Sequence, residues 1–214
     1  MKPIILFDLD GTLIDSTEAI LESFYHSLKV HALGLEVTDS MITSQIGHPL
    51  EVMFAGVGVD SGLIETHVRT YKLYYRDISR QKTFLLPNSL EAIREASEFA
   101  RLGIVTTKTG VYSRELMEHF GVMHYFDVLI GFEDVENRKP HPEPIHKALE
   151  KMEKSDKGIW MIGDTRLDVE ASHRAGIECV AVTSGYDNAE QLLTLTDIIK
   201  SDVLEAVRYI AQRG

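Results

Sequence analysis

The chain has 214 residues, 44% hydrophobic and 26% charged, which is enough apolar material for a sizeable core in one or two domains and too balanced for long disorder. Its net charge of −11 argues against nucleic acid and against an anionic membrane surface, because both recruit clustered Lys and Arg, although a local pocket can still take an anion. One cysteine, Cys179, excludes an intramolecular disulfide framework, and no apolar run approaches the roughly 20 residues that span a bilayer; a cytoplasmic protein with no membrane partner is the default expectation.

In chain order, Ile4–Phe7 reads as a buried strand, and Asp8 ends that run too early for a signal peptide. From about residue 15 to residue 84 no buried strand stands out. Asp15 or Ser16 is placed to cap a helix with Ile20, Phe24 and Leu28 on its apolar face. Met41 and Ile42 mark a second helical stretch, and Leu63, Val68, Tyr71 and Tyr75 a third. Roughly 70 mainly helical residues are too many for an ordinary connection and are read as an inserted cap, residues 15–84. Tyr71, Tyr74 and Tyr75 are read as packing within it.

Beyond the cap, helices and strands alternate. Helical patterns cover Ser89–Ala100, Val111–Phe120, Pro144–Met152 and Val169–Ala175; apolar strand patterns cover Gly103–Thr106, Val128–Gly131, Ile159–Ile162 and Cys179–Val182. Near-continuous apolar strands fit a parallel sheet covered on both faces, and the alternation fits a doubly wound α/β fold. Gly121 and Gly176 stand where helix C-caps belong. The expected fold is thus α/β: a Rossmann-like doubly wound parallel-sheet core, residues 1–14 and 85–214, with an inserted α-helical cap. Cys179 is expected to be a small core residue rather than a nucleophile.

Asp8 and Asp10 end the first strand. Residues two apart in an extended chain share a face, and the carboxyl ends of strands in an open α/β sheet form its ligand crevice. Two adjacent carboxylates need compensation, which a hard divalent cation such as Mg²⁺ supplies. Gly11 then allows a sharp turn that exposes amides to an anion. Alone, Asp-x-Asp-Gly also suits a solvated turn or a calcium loop. EF-hand spacing, however, would put ligands on Leu13 and Ile14, and a buried strand precedes the motif.

Phe7-Asp8-Leu9-Asp10-Gly11-Thr12-Leu13 resembles the first motif of the haloacid dehalogenase superfamily of hydrolases, and three further motifs follow in order. Thr106, in Ile104-Val105-Thr106-Thr107-Lys108, matches the second; Lys139-Pro140 matches the third; Gly163-Asp164-Thr165-Arg166-Leu167-Asp168 matches the acidic fourth. Taken singly, Lys139 suits a solvated loop charge, Thr106 a strand-end hydroxyl, Asp164 a helix N-cap and Asp168 the positive end of its helix. The four together carry the resemblance, and it covers nearly the whole chain.

The resemblance implies that Asp8 attacks phosphorus and that Asp10 protonates the leaving oxygen, then activates the hydrolytic water. It implies that Thr106 and Lys139 neutralise the phosphoryl oxygens. Asp164 would complete a Mg²⁺ site with Asp8 and the backbone carbonyl of Asp10, supported by Asp168. Thr107 stands in the substrate-facing position where relatives commonly carry Asn; it is shorter and lacks the amide donors. Lys108 has two readings, a contact to a carboxylate or second phosphate of the substrate, or a solvated charge. The cap segment Ile46-Gly47-His48-Pro49-Leu50 resembles the site-facing loop of phosphoglycolate phosphatase-like members, which makes His48 a candidate substrate contact. The other histidines, His141 included, form no metal-ligand pattern.

The function so implied is a Mg²⁺-dependent phosphatase of a small phosphorylated metabolite, acting through an aspartyl-phosphate, with phosphoglycolate first and inorganic pyrophosphate or sugar phosphates close behind. A phosphomutase of the β-phosphoglucomutase type shares the motifs and cap position and stays open. A true haloacid dehalogenase would lack the aspartate found at Asp10. A non-catalytic binding domain would be expected to have lost a carboxylate or the lysine.

Overall fold

The computed structural model describes residues 2–32, 34–152 and 155–213. Two compact units emerge, Met1–Asp15 with Leu85–Gly214, and Ser16–Phe84. β1 (Ile4–Phe7) is buried along its whole length, and the chain leaves the first unit through the two-residue strand β2 (Ile14–Asp15).

The second unit is helical: α1 (Thr17–Val30), α2 (Asp39–Thr43), α3 (Leu50–Gly56) and α4 (Ile64–Ile78). The expected apolar face of α1 forms, burying Ile20, Phe24 and Leu28 at helical spacing. Ser16 takes the N-cap position, but its side chain makes no capping bond. α4 turns Val68, Tyr71 and Tyr75 inward. Phe24 meets Phe54 at 4.2 Å and Tyr71 at 5.2 Å between ring centroids, and Tyr71 stacks on Tyr75. Tyr74 stacks on His26 and donates its hydroxyl to Glu22 Oε1 at 2.7 Å. All three tyrosines therefore pack within this unit. Ile42 is buried, whereas Met41 and Leu63 are exposed. Leu63 is the N-cap residue of α4, outside its helical face.

The chain returns through β3 (Phe84–Leu85), which pairs with β2. There follow α5 (Ser89–Phe99), β4 (Arg101–Val105), α6 (Gly110–His119), β5 (Phe126–Ile130), α7 (Glu143–Lys151), β6 (Ile159–Gly163), α8 (Arg166–Ala175), β7 (Glu178–Val182), α9 (Ala189–Leu193), β8 (Ile199–Lys200) and α10 (Val203–Ala211). Six strands form one sheet in the order β5-β4-β1-β6-β7-β8, and every pairing is parallel. The alternation of side chains along a strand divides β1 between two cores. Ile5 and Phe7 pack with Ile93, Ala96, Val207 and Ile210; Ile4 and Leu6 pack with Ile145, Ala148 and Val169. Helices thus cover both faces, and the architecture is a Rossmann-like doubly wound parallel sheet with an inserted helical cap.

β4 and β5 each begin two residues before their apolar runs. Arg101 and Asp127 account for this: they join across the strands, Nε to Oδ2 at 2.8 Å, and polar strand starts interrupt an apolar pattern. α8 begins at Arg166, three residues earlier than its apolar face suggests, because Thr165 and Asp168 form a capping box. Gly176 is its C-cap and Gly121 directly follows the C-cap of α6. Cys179 is buried. Among the described residues no helix is long and apolar enough to cross a membrane.

Candidate active site

The order of the sheet decides where a site can form. β1 lies between β4 and β6, so the chain winds outward from it in both directions. A crevice opens outside the carboxyl ends of strands at such a reversal. Asp8 follows β1, Thr106 follows β4, and Asp164 follows β6.

Buried charges meet there. Lys139 Nζ donates to Asp8 Oδ1 at 2.7 Å, to Asp168 Oδ1 at 2.5 Å and to the Val105 carbonyl at 3.1 Å. Asp8, Asp164 and Asp168 each offer a carboxylate oxygen, all within 4.8 Å of one another. Three buried carboxylates cluster around one buried ammonium that pairs with only Asp8 and Asp168 among them, and unbalanced buried charge is costly. Burial, only partly offset by Lys139 and reinforced by Asp168, holds the Asp8 carboxyl up at about 7. Burial and the neighbouring Asp8 and Asp168 hold Asp164 well above the usual carboxylate range. Burial works against the charge of Lys139, but Asp168 and Asp8 outweigh it and keep the ammonium strongly protonated. An all-oxygen donor set with surplus negative charge fits a hard divalent cation.

Each carboxylate is held differently. Asp164 accepts from the Thr12 hydroxyl at 2.8 Å and from the Tyr186 amide at 2.9 Å. Gly11, at φ +84°, passes so close that a Cβ there would lie 2.3 Å from Asp164 Oδ2. Asp168 gives one oxygen to Lys139; the other accepts from the Thr165 amide at 3.1 Å and hydroxyl at 2.7 Å. It therefore anchors the lysine and starts α8 at once. The N-cap of α8 is Thr165 and not Asp164, so the simple capping role considered for Asp164 does not apply.

The Asp10 side chain lies outside this carboxylate cluster; both its oxygens accept from Lys108 Nζ, at 3.0 and 3.1 Å. Lys108 is not the freely solvated charge of its second sequence reading. The carboxylate it reaches belongs to the chain itself, and its side chain is only 10% exposed. Thr106 is buried, and its hydroxyl oxygen accepts from the Lys108 amide at 3.1 Å, leaving the hydroxyl proton to donate elsewhere. Thr107 is half-buried in the same bend. His48 lies in the helical unit, half-buried in a turn closed by its amide on the Gln45 carbonyl at 3.0 Å. His141 Nδ1 accepts from the Glu143 amide, a structural bond.

The sequence profile of the haloacid dehalogenase-like hydrolases matches residues 5–182. The chain belongs to that family. The pyrophosphatase PpaX of Bacillus cereus is 32% identical to this hydrolase over 180 residues, 84% of this chain and 82% of that protein. The phosphoglycolate phosphatase of Escherichia coli K12 is 28% identical over 225 aligned residues, covering 93% and 88%. A haloacid dehalogenase-like family hydrolase from Streptococcus pneumoniae superposes with a TM-score of 0.88 at 29% identity, covering 98% of each chain.

Proposed function

We propose that this hydrolase is a Mg²⁺-dependent phosphatase of small phosphorylated metabolites that carries the phosphoryl group transiently on Asp8. The observation behind this reading is the buried Asp8 carboxylate at the end of the central strand, 2.7 Å from Lys139 and clustered with Asp164 and Asp168. Phosphate monoester hydrolysis is among the slowest uncatalysed reactions, and a carboxylate nucleophile divides it into two easier transfers.

In the first transfer an Asp8 oxygen forms a bond to phosphorus while the bond to the leaving oxygen breaks. Asp10 delivers a proton to that oxygen. Lys139, fixed by Asp168, and the Thr106 hydroxyl donate to the equatorial phosphoryl oxygens, where they stabilise developing charge. In the second transfer Asp10 takes a proton from water, the water oxygen attacks phosphorus, and the Asp8 carboxylate leaves. Asp8, Asp164 and the Asp10 backbone carbonyl, with support from Asp168, would hold Mg²⁺, which when bound would neutralise charge on the phosphoryl group. Residues 15–84 are the cap domain and residues 1–14 and 85–214 the catalytic core, with His48, Thr107 and Lys108 as substrate-side candidates.

Phosphoglycolate is the favoured substrate, supported by a phosphoglycolate phosphatase that aligns with 93% of the chain. Inorganic pyrophosphate is the second reading, supported by the higher identity to PpaX. The deciding experiment measures phosphate release from phosphoglycolate, pyrophosphate and a set of sugar phosphates, with Mg²⁺ and with excess chelator. Metal-dependent release strongest on one compound is the expected result. Release that needs a sugar bisphosphate and returns an isomerised sugar phosphate would assign a mutase instead; no release from folded protein would overturn the phosphatase reading.

A further inference from the structure

The bend after β7, residues 183–187, belongs to none of the four motifs, yet it is tied to two of them. Ser184 Oγ donates to the Gly11 carbonyl at 2.9 Å. The Tyr186 amide donates to Asp164 Oδ2 at 2.9 Å. Asp187 Oδ2 accepts from the Arg166 amide at 2.7 Å and from its Nε at 3.0 Å, which satisfies an N–H that the first turn of α8 would otherwise leave unpaired. Between these ties, Gly185 runs against the carboxylate itself. A Cβ at Gly185 would lie 1.9 Å from Asp164 Oδ2 and 2.3 Å from its Cγ, so no side chain fits there unless Asp164 moves. The Thr12 hydroxyl holds the other oxygen, Oδ1, at 2.8 Å.

We propose that the 183–187 bend and the Thr12 hydroxyl are a positioning clamp that fixes the Asp164 carboxylate for the divalent metal. The inference rests on Asp164 being a metal ligand. Each oxygen of Asp164 receives its own donor, and the bend that provides one of them is secured at both ends. A carboxylate held this way cannot rotate about its last bond without straining its two hydrogen bonds, and one of its oxygens stays within 4.8 Å of oxygens of Asp8 and Asp168. Outer partners of metal ligands act in this manner, and their loss typically lowers metal affinity about 10–100-fold.

The test measures Mg²⁺ affinity by calorimetry on chelator-stripped full-length protein, alongside the melting temperature of the same stripped samples. Thr12→Val keeps the shape and removes the donor; Mg²⁺ affinity is expected to fall about 10–100-fold, and Thr12→Ser is expected to restore it. Asp187→Ala releases one end of the bend and is expected to lower affinity in the same direction. Gly185→Ala is expected to have the largest effect, and the other two variants carry the test should it fail to fold. Wild-type affinity in both Thr12→Val and Asp187→Ala would overturn the clamp. So would a loss in Thr12→Val that serine fails to restore. Absence of Mg²⁺ binding by the wild-type protein would instead remove the metal reading beneath it, and that result is read before any variant is made.

Discussion

Lys108 Nζ bridges both carboxylate oxygens of Asp10, at 3.0 and 3.1 Å, with the two side chains 10% and 14% exposed. The lysine is itself mounted firmly: its amide donates to Thr106 Oγ1 and its carbonyl accepts from the Phe132 amide at 2.9 Å. Lys108→Met is therefore expected to release Asp10 and lower kcat by roughly 100-fold, the lower end of what a placed acid or base supplies. KM for a phosphoester with an uncharged leaving group should change little, and Lys108→Arg should recover part of kcat. A rise in KM confined to phosphoglycolate or pyrophosphate would assign Lys108 to the leaving group instead.

Asp8→Asn removes the carboxylate proposed to attack phosphorus and should abolish turnover; appreciable residual activity would contradict the nucleophile assignment. The same variant probes the charge of the site. The Asp8 carboxyl is held up at about 7 from an ordinary 3.8, by burial above all. Between these values the folded, metal-free chain binds more protons than the unfolded chain, so the Asp8 contribution to stability falls as pH rises through that window. Metal-free Asp8→Asn should gain on metal-free wild type as pH goes from about 5 to about 7.5. Thermal unfolding of stripped samples measures this, and a pH-independent difference would count against it.

Burial pushes the Cys179 thiol up to about 12, and the thiolate is the reactive form. Cys179 is expected to resist maleimide at neutral pH until the protein is unfolded. Stoichiometric labelling of native protein, followed by mass spectrometry, would show the opposite.

In the helical unit, Phe24 makes ring contacts with both Phe54 and Tyr71 and is fully buried. Phe24→Ala should cost about 3–5 kcal/mol in the stability of that unit. Urea unfolding followed by the fluorescence of tyrosines in that unit, set against Trp160 in the sheet, measures the loss.

Much of this was legible in the sequence, for identifiable reasons. Five sheet strands are apolar runs buried on both sides, which single-residue polarity marks well. β2, β3 and β8 have two residues each, too few for a periodic signal. α10 does carry a signal, with Asp202 capping and Val203, Leu204, Val207 and Ile210 turned inward, but it follows the last long strand and lies outside the alternation that organises the rest. Within the site, Asp8, Lys139, Asp164 and Asp168 stand in recognisable motifs, and the fold brings them together. The Thr12–Asp164 bond joins residues 152 positions apart. The Tyr186 contribution is a backbone amide, which has no residue-type signature. The partner of Lys108 was likewise hidden, since only the folded chain sets it against Asp10.

The register of the central strand has a consequence for biosynthesis. Ile4 pairs with Arg101 on one side and with Ile159 on the other, and Ser16–Phe84 is made in between. At about 5–20 residues per second, Ile4–Phe7 spends roughly 5–20 s outside the ribosome before its first partner strand exists, and longer before its second. For that interval it is an apolar segment with two open hydrogen-bonding edges, the kind of element that recruits chaperones or other nascent chains. The segment that leads into Asp8 is thus made well before either of the strands that enclose it, and it is open to such contacts while it waits.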